Sequence, residues 1–177
     1  MKRPMKRISI LVLAAAAAAC AIASMAFTAG GTGGQGSAIY GITIPAGYRQ
    51  WELISIAHEA GDFNDLRAVL GNAVAVKAFR NGTLPFPDGT IIARLAWKHT
   101  PSAANNKVFG REQSFVAGDA TNVQFMVKDP KKYAASGGWG FVQFKDGKSA
   151  DEALIKTCFP CHEPGKEHDL VFTYYAP

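Results

Sequence analysis

Apolar and polar residues alternate with a period of two through much of the chain, and this pattern predicts β-strands. The clearest case is residues 90–99, where one face of the predicted strand carries Ile91, Ala93, Leu95 and Trp97. Its other face carries Ile92, Arg94, Ala96 and Lys98. Further alternating or aromatic-rich segments predict strands over residues 48–58, 66–70, 123–128 and 139–144. The middle of the chain is therefore expected to form a sheet.

Helical patterns are few and short. Asn72 is a candidate N-cap for a helix over residues 73–80, which the Asn-Gly pair at residues 81–82 would end. A turn or two of helix is expected after the Asp-Pro pair at residues 129–130 and before the Gly-Gly pair at residues 137–138. Neither segment is long enough to form a helical layer of its own.

A longer C-terminal helix is predicted by the capping box Ser-Ala-Asp-Glu at residues 149–152, which puts two acids in the first turn. This helix should run from Ala150 into Cys158. The whole pattern predicts an α+β fold that is predominantly antiparallel β-sheet, with short helices and one C-terminal helix.

The first 26 residues have the features of a cleaved secretory signal. Four basic residues and no acid occupy positions 2–7, and an almost unbroken apolar run over residues 8–23 ends in small residues. A membrane anchor is the alternative, but the run is shorter than the ~20 apolar residues that a spanning helix needs. Lipid attachment at Cys20 is a further alternative and is less favoured. A Gly-rich linker over residues 27–38 and one domain over residues 39–177 are expected to follow.

The charge balance changes once this segment is set aside. The full chain has 177 residues, with 19 Lys+Arg against 14 Asp+Glu and a formal net charge of +5. That excess would suit nucleic acid or an anionic membrane as a partner. Four basic residues and one of the three cysteines belong to the predicted signal, which leaves a net charge of +1 and two cysteines. No nucleic-acid partner is therefore expected, and export places the remaining domain in the periplasm.

The segment that carries the most specific chemistry is Cys158-Phe159-Pro160-Cys161-His162. Two thiols three positions apart can form thioethers to the two vinyl groups of one haem, and the adjoining imidazole then lies beneath the iron as its ligand. The spacing is the attachment signal for a c-type haem, one per chain, and such attachment takes place outside the bacterial cytoplasm. The export signal and the attachment signal therefore support each other.

Three other interpretations of the two cysteines remain. A thioredoxin-like redox pair would lie at the start of a helix, whereas these cysteines follow one. A zinc site would need two more ligands at suitable spacing, and the sequence contains no second cysteine pair. A disulfide would close only a very small loop and would stabilise little. None of the three accounts for His162 directly after Cys161.

The haem signal lies in an unusual place for a cytochrome. The small all-helical cytochromes carry it near the N-terminus and have an axial methionine downstream, whereas only 15 residues follow His162 and none is methionine. The helical-bundle cytochromes carry it near the C-terminus, but their long amphipathic helices are not predicted here. A β-rich domain with a C-terminal haem signal therefore fits neither of these two classes of cytochrome.

Several separated motifs, in order, resemble the cytochrome P-460 family, which includes cytochrome c′-beta. The resemblance covers residues 48–177. The residues that carry it are Tyr48-Arg49-Gln50-Trp51, Phe86-Pro87-Asp88-Gly89-Thr90, residues 123–130 with Tyr133, Gly138-Trp139-Gly140, residues 158–162 and Asp169-Leu170-Val171-Phe172-Thr173. The resemblance implies a β-rich fold, a homodimer, and a five-coordinate haem whose distal face takes small nitrogen ligands. Some members oxidise hydroxylamine, and others only bind nitric oxide and similar gases.

One position departs from the pattern of the hydroxylamine oxidisers. The resemblance implies that these members join a lysine to the haem, on the strand after the Phe-x-Asp-Gly turn, and Arg94 stands at the matching position. Arginine stays protonated and is a poor nucleophile, so it should not form this bond. Lys98 points to the same face but lies ~13 Å further along the strand, at ~3.3 Å per residue. Arg94 is either a solvated strand residue or a cation that faces a haem propionate or the distal ligand.

Other residues are weaker candidates for the distal side of the haem. Phe63 and Phe86 are candidate aromatic caps, although core packing is the favoured role for both. A sixth ligand or a distal carboxylate could come from a further set of residues, each of which is favoured as an ordinary structural residue: His58, His99, His168, Met126, Asp151 and Glu152.

Three functions follow for an exported mono-haem protein. The first is binding of nitric oxide or a related nitrogen ligand at an open iron position, and Arg94 favours it. The second is oxidation of hydroxylamine with electrons passed to a redox partner protein, which requires a lysine cross-link. The third is simple electron transfer, which requires a strong sixth ligand.

Overall fold

An antiparallel six-stranded sheet forms the centre of the protein, in a computed structural model that describes residues 36–176. Every strand pairs with its neighbour in the sequence, so the sheet is a meander. The strands are β1 (Glu52–Glu59), β2 (Asp65–Gly71), β3 (Ile91–Pro101), β4 (Phe115–Lys128), β5 (Trp139–Lys145) and β6 (Lys148–Ser149). The α-helices are α1 (Ala73–Asn81), α2 (Ala103–Phe109) and α3 (Glu152–His162). Short 3-10 helices cover Tyr48–Gln50, Ala134–Ser136 and Glu163–His168.

This architecture confirms the predicted α+β class with a dominant antiparallel sheet and a C-terminal helix. The predicted signal segment, Cys20 and most of the predicted linker lie outside the described residues. Within residues 36–176, no helix has the length and hydropathy required to cross a bilayer.

The strand register sorts side chains onto two faces, and both faces are covered. Ile92, Met126 and Phe141 lie opposite one another on β3, β4 and β5. We call the face that carries these three residues the α1 face, because buried residues of α1 pack in the same cluster as Ile92 and Phe141. The opposite face has its own cluster, with Phe125, Phe144 and Ile155 among its fully buried members. The alternation predicted for β3 is therefore confirmed, with a core on each side.

Helix α1 has the ends that the sequence predicts. The Asn72 side chain accepts a hydrogen bond from the Ala75 backbone N–H at 3.0 Å, and Gly82 closes the helix at φ 60° in the left-handed region. The helix packs on β1, β2 and β3. Other groups cover β4 and β5.

The C-terminal segment returns to the α1 face after α3. Leu170 and Val171 are buried in the same cluster as Phe79 and Trp139. The chain then reaches the far edge of the sheet, where the Ala176 N–H donates to the Ile54 carbonyl at 2.9 Å. The C-terminal end of the described domain is therefore bonded to β1.

Two boundaries differ from the predicted ones, and one helix is additional. Residues 48–50 form a 3-10 helix and not the start of β1, because Gly47 turns the chain at φ 69° and the Tyr48 ring packs against Phe125. Strand β4 begins at Phe115, since its first half pairs with β3 although it lacks apolar alternation. Helix α2 was not predicted. Its Ser102 cap and its closing Gly110 are the only local signals for it.

Helix α3 also begins later than predicted. Ser149 ends the short strand β6, and the N-cap is Asp151, whose carboxylate accepts from the Leu154 N–H at 2.8 Å. Glu152 pairs with Lys156 one turn on, at 3.4 Å, so it does not close a capping box. The helix continues through Cys158 to His162 and contains Pro160.

The contribution of the opposite-face core can be tested with one aromatic residue. Phe125 is 1% exposed and contacts the rings of Tyr48 and Phe144. We expect Phe125→Ala to lower the free energy of unfolding by about 3–5 kcal/mol, because it removes buried contacts and leaves a cavity. Urea denaturation of the haem-loaded protein measures this. The matched control is Phe63→Ala at a site that is 72% exposed, where a change below about 0.5 kcal/mol is expected.

Candidate functional site

The last turns of α3 bring together the three side chains of the predicted attachment signal. Positions 158, 161 and 162 are separated by three and four residues, so they lie on one side of the helix. Cys158 is half-buried and Cys161 is exposed. Both are free thiols, and neither forms a disulfide in the described part of the chain.

Helix α3 reaches both cores of the protein. Ile155 is buried in the cluster of the opposite face, whereas Cys158 and Phe159 pack against the cluster of the α1 face. The helix therefore passes along the edge of the sheet next to β5, with its N-terminal half on one side and its C-terminal end on the other. This placement brings His162 to the α1 face, where its ring centroid lies 5.1 Å from that of Phe141.

The imidazole of His162 is held by the backbone of the segment that follows it. Its Nδ1 lies 2.7 Å from the Leu170 carbonyl oxygen, so the Nδ1–H is the donor of this hydrogen bond. The ring of Phe172 lies against the imidazole at 5.1 Å. Among the described residues none is hydrogen-bonded to Nε2. The tautomer fixed by Leu170 therefore leaves Nε2 free to bind a metal.

The surroundings of His162 favour the neutral imidazole. Burial lowers the pKa of His162 below its ordinary value, and the hydrogen bond to the Leu170 carbonyl offsets part of that effect. Burial also raises the pKa of the Cys158 thiol, and the neighbouring Cys161 adds to the rise. The site therefore presents a neutral imidazole at neutral pH, together with a protonated thiol at Cys158.

The α1 face also carries polar side chains on β3, β4 and β5, namely Arg94, Gln124 and Gln143, and we call this set the polar rows. Arg94 lies opposite Gln124 in the register, and Gln124 lies opposite Gln143. The amide of Gln124 donates to Gln143 at 2.7 Å. This row is the next one along the strands from the row of Ile92, Met126 and Phe141, so it begins about 7 Å away.

Arg94 is neither a solvated strand residue nor an unpaired cation. Its side chain is 15% exposed, forms a salt bridge with the buried Asp65, and donates to Asn122 at 3.3 Å. The same carboxylate accepts from Arg67 at 3.2 Å. Burial, followed by the nearby charge of Arg94, lowers the pKa of Arg67 to about 10, so the guanidinium of Arg67 stays charged at neutral pH. The interpretation of Arg94 as a solvated residue was therefore wrong, and the haem-facing interpretation stays a prediction.

The other distal candidates are spread over the molecule. Phe86 is buried between Phe79 and Trp139, as expected for core packing. Phe63 is 72% exposed in the turn between β1 and β2, so the expectation that it packs in the core was wrong. The side chain of Lys98 is 65% exposed and pairs with Asp119 at 3.1 Å.

The additional histidines have partners of their own. His58 and His99 stack on each other at 4.0 Å, and Phe115 stacks on the far side of His99 at 4.2 Å. His168 stacks on Tyr174, and its Nδ1 lies 2.7 Å from the Val171 carbonyl. Met126 packs against the α1-face cluster, while Asp151 and Glu152 lie at the other end of α3 from His162.

Sequence reasoning missed the groups that hold His162 in place. The sequence pattern places Phe141 only on a strand, and it assigns to the site neither the Leu170 carbonyl nor its neighbours, the buried Lys128 and the partly buried Asp169. Residues 169–173 contributed to the family resemblance, but a backbone carbonyl gives no signal in a side-chain pattern.

The site can hold a haem and does not suit a bare metal ion. Nowhere in residues 36–176 do three or more His, Cys, Asp or Glu side chains come together as a metal site. Two free thiols beside one imidazole with a free Nε2 form the donor set of a c-type haem. The buried indole N–H of Trp139, on the α1 face, has no hydrogen-bond partner among the described residues, so this face has a donor to offer to a polar group of a cofactor.

The fold and the donor set together define a haem protein. The chain matches the family Cytochrome P460 over residues 45–173 and belongs to this family, which makes it a cytochrome with haem iron. This confirms the resemblance found in the sequence. No curated protein matches the chain significantly.

The contribution of the Asp65 salt bridges to stability can be tested by substitution. Asp65 has a side chain that is 6% exposed and pairs with both Arg67 and Arg94. We expect Asp65→Asn to lower the free energy of unfolding by about 2–4 kcal/mol, since it leaves the mostly buried Arg94 without its carboxylate partner, whereas Arg67 keeps its salt bridge to Glu59. Thermal or urea unfolding measures the loss. The control is Asp119→Asn, which breaks the exposed pair with Lys98 and should cost less than about 1 kcal/mol. Equal losses in the two variants would contradict the prediction.

Proposed function

We propose that the protein is an exported c-type haem protein that binds nitric oxide or a related small nitrogen ligand. In this proposal one haem per chain is attached through Cys158 and Cys161, and His162 Nε2 is the axial ligand. The observation that carries it is the hydrogen bond from His162 Nδ1 to the Leu170 carbonyl, which orients Nε2 for the iron. When bound, the haem supplies an iron with one further position for a small ligand.

The positions of the other strong ligands support an open position. His58 and His99 stack together near the ends of β1 and β3, and His168 is stacked on Tyr174 with its Nδ1 at a carbonyl. Met126 packs against the same cluster as Phe141 and lies beside it in the register, and the His168 ring lies 6.0 Å from that of Phe86 in this cluster. The proposal therefore assigns no protein ligand to the second axial side.

The polar rows supply groups of the right charge for a haem on the α1 face. Arg94 carries a positive charge, while Gln124 and Gln143 offer amide groups on the same face. A haem carries two propionates, and an arginine can bind a carboxylate through two parallel hydrogen bonds. We propose that Arg94 serves a propionate or the bound ligand while it keeps its salt bridge to Asp65.

Two observations count against oxidation of hydroxylamine through a lysine cross-link. The position that the family resemblance assigns to that lysine is Arg94, which is already paired with Asp65. Lys98, the alternative, points into solvent and pairs with Asp119. The enzymatic function is therefore the second candidate, and the attachment experiment below separates it from the first.

The attachment chemistry can be read by mass spectrometry of the exported protein. We expect one haem on the peptide that contains both cysteines, and a single remaining attachment in either Cys158→Ala or Cys161→Ala. The double variant should lose its haem in denaturant. Haem joined to a lysine peptide as well would favour the hydroxylamine oxidiser, and a wild-type chain with no covalent haem would overturn the assignment of the two thiols.

Ligand binding can be read from the optical spectrum. We expect the ferrous protein to be high-spin and five-coordinate, and its Soret band should shift when nitric oxide is added. The control is the same titration with His162→Ala, which should lose the wild-type spectrum because the iron loses its protein ligand. A low-spin ferrous spectrum that nitric oxide leaves unchanged would contradict the proposal and favour an electron carrier.

Location and assembly also belong to the proposal. We propose export to the periplasm because of the N-terminal sequence, and a homodimer with a redox partner protein because of the family resemblance described above. Fractionation of cells followed by intact mass would show whether residues 1–26 have been removed. Sedimentation of the haem-loaded protein would show whether two chains associate.

A further inference from the structure

An ion pair joins the buried Lys128 to Asp169, the residue directly before Leu170, whose carbonyl binds His162. Lys128 is 4% exposed, and its Nζ lies 2.7 and 2.8 Å from the two carboxylate oxygens of Asp169. Asp169 also accepts from the Phe86 backbone N–H at 2.8 Å. Lys128 Nζ donates further to the Gly137 carbonyl at 3.3 Å and lies 4.9 Å from the centre of the Trp139 ring. Both charges are therefore satisfied on several sides within the protein.

This pair fixes an uncommon backbone conformation. Asp169 and Leu170 are consecutive residues with φ of 50° and 67°, in the left-handed region that residues other than glycine rarely adopt. Such a conformation persists only where the surrounding contacts determine it. Here the Asp169 side chain is held by β4 and by the loop before β3, while the Leu170 side chain is buried in the α1-face cluster.

The left-handed pair turns the chain so that one carbonyl points back at α3. The Leu170 N–H donates to the Gly165 carbonyl at 2.9 Å, and the Leu170 carbonyl receives the His162 Nδ1–H at 2.7 Å. The conformation of residues 169–170 therefore determines where the acceptor for His162 lies. Lys128 does not touch His162 and acts on it only through Asp169 and Leu170.

We propose that Lys128 and Asp169 are positioning residues for the axial histidine, and that their ion pair sets how strongly His162 donates to the iron. This inference rests on the proposed function, since it takes His162 as the iron ligand. A hydrogen bond from Nδ1–H to a well-placed acceptor orients the ring and makes the imidazole a stronger donor. The ion pair therefore affects the donor strength of His162 from strand β4, at a position outside the attachment signal.

The expected direction follows from that donation. When the ion pair is broken, the Leu170 carbonyl moves away from its position, the hydrogen bond weakens, and Nε2 becomes a weaker donor. A weaker donor stabilises the ferric iron less, so the reduction potential should rise. The iron–histidine bond should weaken as well, and its stretching band in the Raman spectrum of the ferrous protein should move to lower frequency.

The test compares variants of the haem-loaded full chain by resonance Raman spectroscopy and redox titration. Asp169→Asn keeps the shape of the side chain and an acceptor for Phe86 but removes the charge, and Lys128→Met removes the cation. We expect both to lower the iron–histidine frequency and raise the potential. The double variant should shift by about as much as either single variant, because the two residues act as one unit. Lys128→Arg keeps the cation and should restore most of the wild-type values.

Asp119→Asn is the matched control, since it removes the carboxylate partner of another lysine on the same sheet. It should leave the frequency and the potential unchanged. If Asp169→Asn and Lys128→Met lose stability but keep the wild-type frequency and potential, the pair has a structural role only and the inference is overturned. If Lys128→Met loads too little haem, Asp169→Asn decides alone, because a lowered frequency in this variant of nearly the same shape supports the inference and a wild-type frequency opposes it. A wild-type spectrum without a five-coordinate iron would instead overturn the proposed function.

Discussion

The hydrogen bond between His162 Nδ1 and the Leu170 carbonyl is the contact on which the arrangement of the site depends. It joins the end of α3 to the segment that returns across the sheet. Helix α3 is anchored at its other end by Ile155, which is fully buried on the opposite face. The helix is therefore held at Ile155 on one side of the sheet and at His162 on the other. The hydrogen bond to the Leu170 carbonyl sets the position of the imidazole.

The polar rows show how the same sheet serves two purposes. The strand period of two gives each central strand one side for the opposite-face core and one side for the α1 face. On the α1 face of β3, β4 and β5, the apolar row of Ile92, Met126 and Phe141 is followed by the row of Arg94, Gln124 and Gln143. Asp65 pairs there with both Arg67 and Arg94, and Glu59 provides a second carboxylate for Arg67. An amphipathic surface of this kind suits a haem, which has an apolar ring and two charged propionates at one edge.

Local patterns in the sequence predicted the elements that short-range interactions determine. The caps of α1, the alternation of β3 and the aromatic run of β5 all depend on neighbours within a few residues, and they were predicted correctly. The first half of β4 was missed because its residues are held by pairing with β3 and not by an apolar pattern. The thiols and the imidazole could be found from their spacing. The groups behind His162 could not, because Lys128 and Asp169 are 41 positions apart and meet only in the folded chain.

The C-terminal segment returns to β1, and this contact affects the order in which parts of the protein fold. The sheet is a meander, so each strand needs only the strand before it, and low sequence separation favours early formation. The last residues have their partners far away in the sequence, with Ala176 bonded to Ile54 and Tyr175 to Arg80. We expect the β-sheet to assemble first and the segment over the site to close last. A chain shortened by a few residues would then keep its sheet but lose the contacts that hold the C-terminal segment to β1 and α1. The last residues of the chain would therefore stabilise the segment that contains the hydrogen-bond acceptor of His162.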